Sequence, residues 1–146
     1  MIYLLYGQPA SGKTSLGNKL ASYLRTPFVI DGDEFRKMFS NTDYQKEGRE
    51  LNIRKANAVA TFLNKTQKKD VILLLVNPYE RFREELKVFN KGEVLEILLI
   101  STRTLRKDYH CPDFERGKPR FELNTDKELK HTWKALLEII DKRDSY

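Results

Sequence analysis

Gly7-Gln8-Pro9-Ala10-Ser11-Gly12-Lys13-Thr14 matches G-x-x-x-x-G-K-[ST] at every fixed position, and its flanks give the match meaning. Before it, Ile2 to Tyr6 is an apolar run of strand type; after it, Leu16, Leu20 and Leu24 recur four apart, the spacing of one helix face, to about Arg25. A strand, a glycine-bearing loop and a helix in that order make a phosphate cradle. Glycine lets the backbone bend round an anion, loop and helix N–H groups point at its oxygens, and the helix dipole favours negative charge there. A chance match in a chain of this length is roughly a one-in-several-hundred event. Gly7, Ala10, Ser11, Gly12, Lys13, Thr14 and Ser15 are therefore the expected nucleotide-binding residues, with Lys13 on the β and γ phosphates of ATP and the Thr14 hydroxyl on Mg2+.

Outward from the cradle, short apolar runs alternate with amphipathic stretches, the βαβα rhythm of a parallel sheet covered by helices. Pro27 is expected to stop the first helix. Phe28 to Ile30 reads as a second strand running into Asp31-Gly32-Asp33, Glu34 to Phe39 as a short helix, and Ser40 to Tyr44 as a polar loop. Glu47 to Lys69 reads as a long helix with Ile53, Ala56, Ala60 and Leu63 inward. Val71 to Val76 is all apolar and is expected as a central strand buried on both faces. A helix with Phe82, Leu86 and Phe89 inward follows, closed by Lys91-Gly92, and then a fourth strand from Val94 to Ile100. Residues 103–120 are charged and carry Pro112, Gly117 and Pro119, the pattern of a mobile, lid-like loop. Phe121 to Leu123 is expected as a fifth strand and Asp126 to about Arg143 as a last helix with Leu129, Trp133, Leu136, Leu137 and Ile140 inward. The expected architecture is a three-layer α/β fold of the P-loop kinase type, a parallel sheet of about five strands flanked by helices.

The chain has 146 residues, and 40% of them are hydrophobic, enough for one buried core and short of two full domains; residues 1–146 are expected as one domain. The longest apolar run falls far below the ~18 residues of a membrane span. The first residues lack a basic leader and a small-residue cleavage site. With Cys111 alone no intramolecular disulfide forms, so the expected address is a reducing cytoplasm, with no membrane partner. The 27 Lys and Arg against 21 Asp and Glu give a net charge of +6, which favours anionic partners: nucleotides, sulfated or phosphorylated metabolites, and nucleic acid as the weaker alternative. His110, His131 and Cys111 do not form a metal set.

A phosphate cradle alone does not separate kinases from switches and motors. No N-K-x-D string reads guanine, and the strand at Val71–Val76 ends in Asn77-Pro78 rather than in the acidic residue usual in ATPase motors. Asp31 and Asp33 instead fall at the carboxyl edge of the sheet, where open α/β folds bind ligands. One of them, with Asp33 favoured, would hold hydrated Mg2+ or take the proton of an attacking hydroxyl. Either carboxylate also suits a turn capping the next helix. Arg36 lies three residues beyond Asp33, and Arg49 and Asn52 are three apart at the start of the long helix. Two guanidiniums and an amide near a phosphate site point to an acceptor that is itself a small anionic molecule. Arg103 and Arg106 are expected to close over the phosphates.

The strings GQPASGKT at Gly7–Thr14, DGDEFR at Asp31–Arg36, RELNIR at Arg49–Arg54 and NPY at Asn77–Tyr79 make the chain resemble the adenylylsulfate kinases over about residues 1–90. That resemblance implies a kinase of sulfate assimilation that transfers the γ phosphate of ATP to the 3′ hydroxyl of adenosine 5′-phosphosulfate. It implies that Asp33 is the carboxylate that holds Mg2+ or activates the hydroxyl, and that Arg36, Arg49 and Asn52 bind the phosphosulfate. Tyr44 stands at a family Phe that stacks on the acceptor's adenine, and Asp31 and Asn77 fall on the substrate side. Arg36 joins Lys13 and Asp33 as the expected catalytic set. Glu34 replaces the family Asn, and Asn77 replaces a Ser that some members phosphorylate, which excludes a phosphoenzyme at this position. The family lid motif is replaced by the stretch from Arg103 to His110. The alternatives are a kinase of the same build acting on another nucleotide conjugate or modified nucleotide, or a nucleic-acid end kinase; a homodimer stays open.

Overall fold

The computed structural model describes residues 1–103 and 109–143. The chain runs β1 (Ile2–Tyr6), α1 (Lys13–Leu24), β2 (Val29–Asp31), α2 (Gly32–Met38), α3 (Lys46–Gln67), β3 (Val71–Leu75), α4 (Glu80–Phe89), β4 (Val94–Ile100), β5 (Phe121–Asn124) and α5 (Leu129–Lys142). The strands form one sheet in the order β2-β3-β1-β4-β5, and every pairing in it is parallel.

β1 and β3 are buried at every residue, which is why both read as unbroken apolar runs rather than alternating ones. Alternate side chains serve opposite layers. Tyr3, Leu5, Ile72, Leu74, Ile97 and Leu99 meet Leu16, Leu20 and Ala21 of α1 and Leu136 and Ile140 of α5. Ile2, Leu4, Tyr6, Leu73, Leu75 and Leu98 meet Ala56 and Ala60 of α3 and Leu86 of α4. This is the expected three-layer arrangement. Among the described residues no helix is long and apolar enough to cross a membrane.

Several expectations shift in detail. β3 is an interior strand buried at every residue, as expected, with β1 at the middle of the five, and Val76 lies outside β3. α1 ends in a left-handed cap at Arg25, φ 56°, two residues before Pro27, so the cap and not the proline closes it. The buried arc of α4 contains Phe82, Arg83 and Leu86 and is continued by the buried capping residue Asn90. That arc is centred between positions 82 and 83, so Phe89 falls at its rim and is 57% exposed. Leu129, the first residue of α5, is also largely exposed, and Trp133 lies half-buried with its ring edge-on to Tyr23 at 5.6 Å. The loop expected to be mobile is anchored in its described part: Cys111 is fully buried, the Glu115 N–H donates to the Pro78 carbonyl at 2.7 Å, and Phe114 stacks on Tyr6.

Between α2 and α3 the chain folds tightly against the first turn of α3. Asn41 Nδ2 donates to the Gly48 carbonyl at 2.9 Å, Asn41 Oδ1 accepts from the Asp43 N–H, and Asp43 Oδ1 accepts from the Gln45 N–H. A Cβ at Gly48 would lie 2.0 Å from the Asp43 carbonyl oxygen. Helix propensity alone favours alanine there by about 1 kcal/mol, but the clash is with backbone and outweighs it. Gly48→Ala is expected to lower stability by about 1–3 kcal/mol in urea denaturation; a more stable variant would show that this close approach is not needed.

Candidate active site

The loop after β1 turns through left-handed backbone at Ala10, φ 63°, and Gly12, φ 86°, and Gly12 leads directly into α1. Lys13 Nζ donates to the carbonyls of Gly7 (2.9 Å) and Gln8 (2.8 Å) and to Ser11 Oγ (3.0 Å). The ammonium thus holds the loop in shape and lies where an incoming phosphate would compete with those oxygens for it. Ser11 is buried, while Thr14 and Ser15 are both exposed at the start of α1. Arg103 lies against the same loop, its Nη1 3.4 Å from where a Gly12 Cβ would be, with Nη2 donating to the Thr125 carbonyl. Arg106 lies outside the described residues.

At the end of β2, Asp31 does two things. Its Oδ1 accepts from the Asp33 N–H at 3.1 Å, capping α2, and its Oδ2 accepts from the Thr14 hydroxyl at 2.8 Å. Capping is the turn role that the sequence left open for either carboxylate, and it falls to Asp31. Asp33 sits in the first turn of α2 and faces the cleft. Among the described residues no group of three or more His, Cys, Asp or Glu side chains forms a metal cage. Mg2+ needs no such cage, because it binds through one or two carboxylates and substrate phosphates. Thr14 with Asp31 and Asp33 fits that donor set.

The opposite wall is built from α2, α3 and the segment from Tyr109. Arg36 is 5% exposed, and its Nη1 donates to the Asp43 carbonyl at 2.9 Å and to Asn41 Oδ1 at 3.3 Å while the guanidinium covers the Tyr44 ring at 4.1 Å. Burial pulls its pKa below the usual arginine value. The Tyr44 ring meets the Tyr109 ring at 4.6 Å, tilted by 55°. Arg49 Nη2 donates to the Tyr109 carbonyl at 3.0 Å, and Nη1 lies 3.9 Å from Asp113 Oδ1. Asn52 Nδ2 donates to the Gly32 carbonyl at 3.3 Å. At the end of β3, Asn77 is 1% exposed with a left-handed φ of 45°. One cleft of about 530 Å3 is lined by the loop after β1, both carboxylates, Arg36, Tyr44, Arg49, Asn52, Asn77, Arg103 and Tyr109. Every expected site residue that is described, apart from Gly7 beneath the loop, lines this one cleft.

Four contributors were not legible in the sequence. Gln8 occupies a variable position of the motif, yet its Nε2 donates to the Cys111 carbonyl at 2.8 Å and its Oε1 accepts from the Cys111 N–H at 2.9 Å. Asp113 accepts from Cys111 Sγ at 2.9 Å and from the Tyr79 hydroxyl at 3.1 Å. Burial and hydrogen bonding to Asp113 push the Cys111 thiol up to about 12 and the Tyr79 hydroxyl up to about 12, and the same donors hold the Asp113 carboxyl below its usual value. Arg83 of α4 donates to the carbonyls of Asn77, Glu115 and Arg116 and stacks on Tyr6 at 4.5 Å. Tyr109 supplies the second ring of the cleft. Nothing in residue type or spacing marks these four, because each acts across a separation that local patterns do not span.

A family model described as adenylylsulphate kinase matches residues 1–108, about three-quarters of the chain. No curated protein sequence matches. Among solved structures, the APS kinase CysC of Mycobacterium tuberculosis in complex with AMPPNP and APS superposes with a TM-score of 0.79 at 16% identity, covering 96% of each chain. A gluconokinase from Sinorhizobium meliloti 1021 gives a TM-score of 0.69 at 18% identity, covering 98% of this chain and 93% of its own. Shikimate kinase from Aquifex aeolicus gives 0.69 at 16% identity, covering 99% and 98%. At these identities the structural likenesses show the shared fold.

The clasp between Gln8 and Cys111 has a direct readout. Two hydrogen bonds at about 1 kcal/mol each hold the segment over a buried thiol. Gln8→Leu is expected to raise the native-state alkylation rate of Cys111 by about 10- to 30-fold, measured by mass spectrometry. An unchanged rate would mean that packing alone seals the thiol.

Proposed function

The chain belongs to the adenylylsulfate kinase family and is an ATP-dependent phosphotransferase acting on a small molecule, and we propose that its acceptor is the 3′ hydroxyl of adenosine 5′-phosphosulfate. The observation that carries this reading is the composition of the wall facing the phosphate cradle. It combines two guanidiniums, Arg36 and Arg49, with two aromatic rings, Tyr44 and Tyr109. An acceptor for that wall carries both an anionic group and a flat apolar base, since guanidinium forks match phosphate and sulfate oxygens and aromatic faces stack on bases.

In this reading the ATP triphosphate lies along Gly7–Thr14, and Lys13 exchanges its loop oxygens for β and γ phosphate oxygens, where it stabilises charge developing on the transferred group. The 3′ oxygen forms a bond to the γ phosphorus as the bond from that phosphorus to the β–γ bridging oxygen breaks, and ADP leaves. The proton of the attacking hydroxyl passes to an Asp33 carboxylate oxygen. Asp31 orients Thr14 and caps α2, which fixes Asp33 in its turn. Thr14, Asp31 and Asp33 would hold Mg2+, which supplies charge neutralisation of the β and γ phosphates when bound. Arg36 and Arg49 orient the acceptor's phosphosulfate. Arg103 lies beside the donor phosphates and adds positive charge there.

A coupled ADP-release assay over adenosine 5′-phosphosulfate, gluconate, shikimate, nucleosides and oligonucleotide ends tests the acceptor: turnover is expected with adenosine 5′-phosphosulfate, and exclusive turnover of another acceptor would overturn the assignment. Asp33→Asn is expected to lower turnover by about 10²-fold or more with ATP binding retained; a larger loss in Asp31→Asn would move the proton-accepting role to Asp31. Arg49→Ala is expected to raise the acceptor KM by roughly 10- to 150-fold, the scale of a charge-assisted hydrogen bond, with little change in the KM for ATP. A defect selective for ATP would place Arg49 on the donor side.

A further inference from the structure

We propose that Gln8, although it belongs to the loop that cradles the donor phosphates, is a positioning residue for the acceptor: its side-chain amide holds the backbone that orients Arg49. The proposal rests on the assignment of Arg49 to the acceptor made above and names what holds that guanidinium in place.

Arg49 meets one segment of chain twice. Its Nη2 donates to the Tyr109 carbonyl at 3.0 Å, and its Nη1 lies 3.9 Å from Asp113 Oδ1. Tyr109 and Asp113 stand two residues before and two residues after Cys111. At that midpoint a single side chain takes both backbone polar groups of Cys111: Gln8 Nε2 donates to the carbonyl at 2.8 Å, and Gln8 Oε1 accepts from the N–H at 2.9 Å. The Cys111 thiol donates to Asp113 Oδ1 at 2.9 Å, so the clasp extends to the second contact of Arg49. Beyond Cys111 the segment has other anchors, in the Tyr79 hydroxyl bonded to Asp113 and the Glu115 N–H bonded to the Pro78 carbonyl. Cys111 separates Tyr109 from those anchors, so the Tyr109 carbonyl depends more on Gln8 than Asp113 does.

The residue type makes the link specific. A side-chain amide carries a donor and an acceptor side by side, and so pairs with the N–H and C=O of one residue as a neighbouring strand would. Its direction is fixed by those partners, because the flipped amide would set oxygen against oxygen and N–H against N–H. Glu offers no donor when ionised, Asn is shorter by one methylene, and an apolar residue makes neither bond. Phosphate binding does not ask for this amide, since the position is a variable one in G-x-x-x-x-G-K-[ST] and the loop addresses phosphate with backbone N–H groups. The main chain of Gln8 serves the loop, its carbonyl accepting from Lys13 Nζ at 2.8 Å, while its side chain serves the opposite wall. The contact of Arg49 with Asp113 is long and partly exposed and orients little. The Tyr109 carbonyl therefore sets the guanidinium, and where that carbonyl is not held the acceptor itself must order Arg49, at a cost in affinity.

The test is steady-state kinetics with adenosine 5′-phosphosulfate and ATP varied in turn, on the wild type, Gln8→Met, Arg49→Ala and the double variant. Met keeps the length of the side chain and makes neither hydrogen bond. Gln8→Glu, of the same length, loses the donor and sets an oxygen against the Cys111 carbonyl; it carries the test if thermal melts show that Gln8→Met does not fold. Either substitution is expected to raise the acceptor KM by about 5- to 30-fold, the scale of one to two hydrogen bonds, with the KM for ATP changed by less than about twofold. In the Arg49→Ala background the same substitution is expected to change the acceptor KM by less than about twofold, because a residue that acts through Arg49 has nothing left to position. An unchanged acceptor KM in the Gln8 variants overturns the proposal while the acceptor assignment stands. So do a rise in the KM for ATP as large as that for the acceptor, which makes Gln8 a donor-loop residue, and a full effect in the Arg49→Ala background, which takes Arg49 off the route. Failure of both Gln8 variants to fold makes the residue structural and overturns the proposal as well. Absence of wild-type turnover with adenosine 5′-phosphosulfate overturns the acceptor assignment and the proposal with it.

Discussion

Parallel pairing of β1 with β3 on one side and β4 on the other is the constraint on which the site depends. In a parallel sheet every crossover carries the chain back to the same starting edge, so the segments that follow the strands collect at the opposite, carboxyl edge. The register sets Tyr6 beside Leu75, and Asp31 beside Leu74. The phosphate loop after β1, the carboxylate turn after β2 and Asn77 after β3 therefore emerge side by side, although they are far apart in sequence. The two apolar layers fix that register, because a slip of one residue would turn Leu73 and Leu74 to the wrong faces.

Across this edge the segment beginning at Tyr109 links the two sides of the cleft. Through Gln8 it touches the phosphate loop, and through Tyr109 and Asp113 it touches Arg49 and Tyr44. The strength of these links differs. The Gln8 amide makes two hydrogen bonds to the backbone of one residue, whereas the Arg49–Asp113 pair is long at 3.9 Å, and a partly exposed pair of that kind contributes little. Arg49 is thus placed by its bond to the Tyr109 carbonyl, and in the proposed function its charge is offered to the acceptor anion. Arg83 supports the same region from below, tying the Asn77 carbonyl to those of Glu115 and Arg116.

The sheet, its helices and the loop between β1 and α1 were readable in the sequence because those features are local. A full phosphate-loop motif between a strand and a helix needs no partner from elsewhere to be recognised, and apolar runs at the period of a strand or a helix carry their own layer assignment. Asp31 and Asp33 were legible as a pair, but their division of labour was not. It turns on the Thr14 hydroxyl, which reaches Asp31 only once β1 and β2 lie in one sheet. Arg83 broke the apolar pattern of α4 without announcing a role, since its partners are backbone carbonyls that any residue type supplies. Gln8, Tyr109 and Asp113 were hidden because their partners lie far along the chain or depend on the fold of the segment that holds them. The departures of this chain from its family, Glu34 and Asn77, have different weights: Glu34 pairs on the surface with Lys37 at 3.0 Å, while Asn77 is buried in the cleft.

The most direct measurement of the central claim is a crystal structure of the chain with adenosine 5′-phosphosulfate and a non-hydrolysable ATP analogue. The account predicts the triphosphate along Gly7–Thr14, the phosphosulfate on Arg36 and Arg49, and the 3′ hydroxyl within hydrogen-bond reach of Asp33 and in line with the γ phosphorus. Density for the ATP analogue with the acceptor bound outside the cleft, or with its 3′ hydroxyl turned away from the γ phosphate, would contradict it.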